Sequence, residues 1–337
     1  MKWRILFAAV ILAAAGWSGW WFIGAAAHDR ALRGWLEERR AAGWQAEVAS
    51  LATVGFPNRF DTRLEGLALA DPSNGWAWEA PFLDILMLSW RPNAAVVALG
   101  PEQTLAFPGA RTRLRSEALR GSARLMPGLS MALSRVSVEG AELTLAAEAG
   151  WRAGVRRLEA HVRQAQPGQT PPNGYDVYLA LEDVLLPAFL RLRLDPAGAL
   201  PERAQTARID AQVALDRPLD RHALEQAPPQ IAALSLKALE ARWGELALTA
   251  SGQLRADERG FAEGRIAITA RNWRRMLQAA VAGGALDADL ARLIEQALGF
   301  IARLTGGEAI EATLSFSGGT AWLGPAPLGR APRLMNR

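Results

Sequence analysis

The sequence predicts a mostly β protein with a minor helical part: a large curved antiparallel sheet, shaped as a groove or an open barrel, carrying a C-terminal helical hairpin and standing behind an N-terminal transmembrane helix. Three observations carry this. An uncharged run of 23 residues lies near the start of the chain at Ile5 to Ala27, period-2 alternation of apolar and polar residues recurs from residue 60 onward, and helix periodicity returns convincingly only near residues 272–304.

The apolar run is flanked by Lys2 and Arg4 before it and by Asp29 and Arg30 after it. At ~1.5 Å per residue it reaches across a ~30 Å hydrocarbon core. Ile5, Leu12 and Phe22 belong to its apolar body, while Trp17, Trp20 and Trp21 gather at its far end, where indoles favour the interface between acyl chains and headgroups. Positive charge at the short N-terminus predicts a cytoplasmic start, a single pass through the inner membrane, and a periplasmic bulk of 310 residues (337 minus 27). Ala25 and Ala27 also form an A-x-A site, so a signal peptide cut before His28 is the competing reading. The length of the run and its late Trp cluster favour a retained anchor. A buried helix of a soluble domain is the third reading, opposed by a run that is apolar all round.

Beyond residue 27 the sequence predicts a β-rich first half, 28–167, and a β-rich second half, 168–337. His28 to Trp44 reads as a short separate helix ended by Gly43. Phe60–Ala70 and Trp76–Trp90 read as strands divided by the turn Asp71-Pro72-Ser73-Asn74-Gly75, and Arg91-Pro92-Asn93 precedes another at Ala94–Leu99. Alternation then becomes clean enough to assign faces. Leu158, Ala160 and Val162 oppose Arg157, Glu159, His161 and Arg163; Val177, Leu179 and Leu181 oppose Asp176 and Glu182; Ile209, Ala211 and Val213 oppose Asp210 and Gln212. Leu246, Leu248 and Ala250, then Ile266, Ile268 and Ala270, continue the pattern. Asn272–Ala282 and Leu286–Leu304, joined by Gly283-Gly284 and capped by Gly306-Gly307, read as the helical hairpin, and QPGQTPPN (166–173) and 226–230 read as breaks.

Composition narrows the function. With no cysteine, thiolate metal sites, iron–sulfur clusters and cysteine nucleophiles are excluded, and the three histidines, His28, His161 and His222, stand in no metal-ligand spacing. Lys+Arg 38 against Asp+Glu 34 leaves 36 against 34 once Lys2 and Arg4 are set aside, so no basic surface for nucleic acid is expected. No G-x-S-x-G and no phosphate loop is present. The sequence therefore predicts a protein that is not an enzyme and holds no cofactor or metal.

Val54-Gly55-Phe56-Pro57-Asn58-Arg59-Phe60, followed by Trp76, Ala80-Pro81 and Trp90-Arg91-Pro92, resembles the start of the uncharacterised domain-of-unknown-function family 2125. Gly55, Phe56, Pro57 and Arg59 carry that likeness at one end, and Gly324, Pro325, Leu328 and Pro332, within Gly324-Pro325-Ala326-Pro327-Leu328-Gly329-Arg330-Ala331-Pro332, carry it at the other. The resemblance covers about residues 2–334. A more distant resemblance is to AsmA-like envelope proteins, which implies a long sheet curled into an apolar groove and a role in lipid handling or outer-membrane maintenance.

Two stretches are candidate sites. Arg111, Arg113 and Arg115 alternate, which puts three guanidinium groups on one strand face for anionic headgroups, or for carboxylates of neighbouring strands. In Phe82–Trp90, Leu83, Ile85 and Met87 point one way and Leu86, Leu88 and Trp90 the other, so the strand needs cover on both faces. The helical hairpin is expected to supply one cover, and a second sheet or a lipid the other. These readings converge on a membrane-anchored periplasmic protein that handles lipid in an apolar β-groove; the alternative is a non-catalytic assembly factor for another envelope protein. The expected partners are inner-membrane lipid, phospholipid in the groove or another envelope protein, and no nucleic acid.

Overall fold

The computed structural model describes residues 2–166, 168, 172–225, 228–284, 286–305 and 309–336. The expected Gly306-Gly307 cap, half of the 166–173 stretch and the start of the 226–230 break lie outside them. Among the described residues eighteen strands form the sheet, and every strand pair whose register is defined runs antiparallel. The chain divides into two compact units, Met1–Arg124 with Thr144–Gly150, and Leu125–Leu143 with Trp151–Arg337; residue 168 falls inside the second.

Unit 1 holds the helix α1 (Lys2–Ala41), then β1 (Gln45–Glu47), β2 (Ser50–Val54), β3 (Arg59–Asp71), β4 (Trp76–Leu88), β5 (Arg91–Leu99), β6 (Glu102–Phe107), β7 (Ala110–Arg115), nearly all of β8 (Ala118–Leu125) and the end of β9 (Leu133–Ala147). β3 pairs with β1, β2 and β4; β4 with β5 and β6; β5 with β8; and β7 with β6 and β9. The β3–β4 turn forms where the sequence places it. Asp71 Oδ1 accepts the Ser73 amide at 3.0 Å, Oδ2 accepts the Asn74 side chain at 2.6 Å, and Gly75 takes φ +68°. Hydrogen bonds from Ser73 and Asn74 hold the Asp71 carboxyl below its usual range.

α1 corrects one expectation: the apolar run and the 28–44 helix are a single unbroken helix. Nothing across Ala25-Ala26-Ala27-His28-Asp29-Arg30 breaks a helix, and Arg33 pairs with Asp29 one turn away at 2.8 Å. The helix stops at Ala41, and Gly43 follows at φ +87°.

Unit 2 holds the rest of β9, then β10 (Arg152–Gln164), β11 (Gly174–Leu185), α2 (Ala188–Leu194), β12 (Arg203–Leu215), α3 (Arg221–Glu225), β13 (Ile231–Trp243), β14 (Leu246–Ala256), β15 (Ala262–Arg271), α4 (Trp273–Ala282), α5 (Ala288–Thr305), β16 (Ala309–Ser317), β17 (Thr320–Leu323) and β18 (Ala326–Arg330). From β10 to β18 each strand pairs with the next, a meander interrupted by helices. β18 pairs with β17 alone among the described strands, so the ladder ends there and does not close. The hairpin α4–α5 forms as expected, whereas α2 is unexpected. Its sequence Ala188-Phe189-Leu190-Arg191-Leu192-Arg193-Leu194 alternates like a strand; tertiary contacts override that period. Arg193 donates to the Ala282 carbonyl at 2.6 Å, and the buried Asp195 accepts the Leu200 amide at 2.7 Å and Arg275 at 3.2 Å.

Candidate functional site

In unit 1 the far half of α1 is bolted to the sheet. Trp17 Nε1 donates to the Pro57 carbonyl at 3.0 Å, Trp20 Nε1 to Ser89 at 3.3 Å and Trp21 Nε1 to Arg59 at 2.7 Å. Trp21 and Ala25 are buried with Phe60 and Met87, and Leu36 joins Ala46, Leu51, Leu64, Leu67 and Leu69 in a second cluster. Gly24 permits the approach: a Cβ there would lie 2.6 Å from Phe60 Cζ. The tryptophans expected to mark only a membrane interface thus also hold the helix to protein.

The motif that carries the family likeness forms the receiving loop. Gly55 sits at φ +108°, its carbonyl accepts the Arg59 amide at 2.8 Å, and Phe56 stacks on Phe22 with centroids 5.7 Å apart. Arg59 pairs with Asp61 at 2.8 Å. At the other end of the chain Gly324, at φ +57°, and Pro325 make the β17–β18 turn, Leu328 packs on the cluster under α4 and α5, and the Pro332 carbonyl accepts the Ala262 amide at 2.8 Å. These are framework roles, carried by backbone and packing.

Phe82–Trp90 divides as its alternation predicts. Leu83 and Ile85 pack on the buried clusters of α1, and Met87 is buried in one of them. Leu86 is half-buried, Leu88 and Trp90 are exposed, and the strand ends at Leu88 because Ser89 and Trp90 turn the chain. The cover expected from the helical hairpin is therefore α1 instead, because α4 and α5 pack against β14, β16 and β18. The arginine row also has a definite environment. Arg111 lies 3.5 Å from Glu79 and 3.9 Å from Glu148, while Arg113 and Arg115 share Glu102 at 3.0 and 3.1 Å. Three cations facing three carboxylates make a neutral lattice of surface ion pairs.

Unit 2 carries a sheet face with long apolar rows. Registered pairing lines up Leu158, Leu181, Ala207, Ala241 and Leu248 in one row, Ala160, Leu179, Ile209, Leu239 and Ala250 in the next, and Val162, Val177, Ala211, Leu236 and Gly252 in a third. The opposite face is polar along its whole width: Arg163, Asp176, Gln212, Ser235, Gln253, Arg265 and Ser315 form one row. Over β14–β16 the hairpin closes the apolar face, with Trp273 and Leu298 buried against Ala270 and Ile310. Over β10–β13 no buried cluster forms among the described residues, and Leu158, Leu179, Leu181, Ile209, Leu236 and Leu239 all stay half-exposed. At ~4.8 Å between neighbours, these strands present an apolar strip ~15–20 Å wide.

The polar face carries ion pairs and a concavity of about 930 Å³ bordered by Gln212, Ser235, Gln253, Arg255, Glu263, Arg265 and Ser315. Beside it Asp176 is bound by Arg163 at 2.8 Å and by Gln212 at 2.8 Å, with Lys237 at 3.6 Å. Burial pushes its carboxyl up, but the bonds from Arg163 and Gln212 outweigh burial and hold it low. Among the described residues no cluster of histidine and carboxylate could hold a metal ion. Alternation marks the apolar rows without telling which of them lie open; only the position of the helices does.

The family model described as "Uncharacterized protein conserved in bacteria (DUF2125)" matches residues 21–332, beginning at the tryptophan that plugs unit 1 and ending at Pro332. No curated protein and no solved structure matches significantly. Placed beside the Gly55–Arg59 loop and the Gly324–Pro332 ending, a match of this extent shows that the chain belongs to the uncharacterised family DUF2125.

Proposed function

We propose that α1 anchors the protein in the inner membrane with its bulk in the periplasm, and that the open apolar face of β10–β13 holds lipid acyl chains in envelope lipid homeostasis. One observation carries the reading: two apolar rows, through Leu158, Leu181, Ala207 and Ala241 and through Ala160, Leu179, Ile209 and Leu239, run across four strands outside every buried cluster of the described residues, while the third row is closed at Ala211. Each methylene taken from water onto such a face contributes about 0.8 kcal/mol, so one acyl chain along a row supplies enough binding energy without any catalytic group. α1 has the length and composition to span a bilayer, and Lys2 and Arg4 favour a cytoplasmic start.

The test uses the full chain, because Trp21 and Ala25 belong to the core and a chain shortened to begin at residue 28 would lack them. In nanodiscs containing a phospholipid with a photoactivatable acyl chain, illumination should leave lipid adducts on peptides of β11–β13. Leu179→Asp with Ile209→Asp should abolish those adducts and spare adducts on residues 5–20. Adducts confined to α1 in the unsubstituted chain would overturn the reading and transfer weight to an assembly factor for another envelope protein.

A further inference from the structure

We propose that unit 1 is seated in the bilayer that α1 crosses, through an apolar collar formed by Val54, Phe56, Leu88 and Trp90 around the far end of the span. The inference rests on the reading of α1 as a membrane helix and goes beyond it. A span of ~20 residues is needed to cross ~30 Å of hydrocarbon. Counted from Ile5, the first residue of the apolar run, such a span ends at Gly24, and by then the helix is already packed on Phe60. Between the charged residues Lys2 and Arg4 and the first indole bond, from Trp17 to Pro57, lie only Ile5–Gly16, a length of ~18 Å that falls short of the hydrocarbon thickness. The loops that accept Trp17, Trp20 and Trp21 therefore lie at membrane depth.

Those loops are built for that position. Val54 is 61% exposed, Phe56 52% and Trp90 50%, and on the helix beside them Phe22 is 61% exposed. Phe56 meets Trp21 edge-on at 5.4 Å and stacks on Phe22, so collar and helix form one apolar surface. Exposed aromatics contiguous with a membrane helix favour the interface, where ring and headgroup level coincide, and the exposed Arg91 stands at the same end of the strands with a side chain long enough to reach phosphate.

Because the chain has no cysteine, single cysteines report position without a background. Full-length Leu12→Cys, Phe56→Cys, Trp90→Cys and Ala118→Cys are labelled with an environment-sensitive fluorophore and reconstituted in phosphatidylethanolamine–phosphatidylglycerol vesicles carrying nitroxide lipids. The expected result is blue-shifted, quenched emission at Leu12, Phe56 and Trp90, with the Phe56 and Trp90 labels quenched best by shallow nitroxides, and a water-like spectrum at Ala118. Quenching at Leu12 with water-like spectra at Phe56 and Trp90 overturns the collar and leaves the span. A water-like spectrum at Leu12 overturns the span and the collar with it. Shielding of Phe56 in native membranes but not in pure lipid would assign the collar to a protein partner and also overturn the proposal.

Discussion

β4 in unit 1 and β11 in unit 2 present matching apolar faces, Leu83, Ile85 and Met87 on the one and Val177, Leu179 and Leu181 on the other, and meet opposite fates. The first lies against α1, which buries Met87 along with Trp21 and Ala25. The second belongs to no buried cluster among the described residues, and its three residues remain half-exposed. An apolar strand face sets a demand for cover, at roughly 25 cal/mol per Å² of surface withdrawn from water. Whether the chain meets that demand itself is decided elsewhere, by a helix distant in sequence. In unit 1 the cover comes from the N-terminus; in unit 2 the hairpin reaches β14–β16 and leaves β10–β13 open.

Breaking the cover in unit 1 should give the largest effect. Trp21→Ala removes a side chain that is 6% exposed together with its hydrogen bond to Arg59, and unfolding of the full chain in detergent should lose ~3–5 kcal/mol. A loss under ~1 kcal/mol would show that α1 does not hold β4. The paired truncations come next. Met87→Ala should cost ~2–5 kcal/mol by creating a cavity, whereas Leu179→Ala, at a face already open, should cost about 1 kcal/mol or less and instead weaken lipid labelling. Equal losses at the two positions would mean that β11 has a cover after all.

The smallest effect should come from the other face of β4. Arg63 bonds Asp84 at 2.7 Å; that bond outweighs burial and, with the positive charge, holds the carboxyl below its usual range. A carboxyl depressed on folding stabilises the folded state above the unfolded value, ~3.9, and loses that contribution as pH falls through the lower folded value. Melting curves should therefore show a slightly weaker acid dependence for Asp84→Asn than for the unsubstituted chain. An unchanged profile would show that the pair adds nothing to stability.

Most strands were legible because period-2 alternation is a local consequence of the pleat: β3, β10, β11, β12 and β15 fall where Phe60–Ala70, Leu158–Arg163, Asp176–Glu182, Ile209–Val213 and Ile266–Ala270 alternate. The hairpin was legible from Leu290, Leu293, Ile294, Ala297 and Leu298, which recur at helix spacing. α2 was hidden, since Leu190, Leu192 and Leu194 alternate like a strand, while the contacts at its end, Arg193 with Ala282 and Asp195 with Arg275, are distant in sequence. The continuity of α1 was hidden for a related reason. Trp21, Ala25 and Leu36 mark a buried face, but in a run apolar all round no stripe stands out. The apolar rows of the candidate site could be read one strand at a time; their openness could not, because a covered strand and an open one share the same alternation.

The indole bonds of α1 carry a consequence for biogenesis. The plug of unit 1 is made first and its socket later: Trp21 and Ala25 leave the ribosome before Phe60 and Met87. On the reading that α1 inserts in the membrane, β3 and β4 complete their core against a helix already fixed at the bilayer, so insertion and folding are successive steps of one process. The Ala25-Ala26-Ala27 site is then open to a protease only while the socket is unfinished. Once β3 and β4 have closed, the bond after Ala27 lies within a continuous helix whose buried face they hold. α1 and the sheet that follows it cannot be separated without leaving Phe60 and Met87 uncovered.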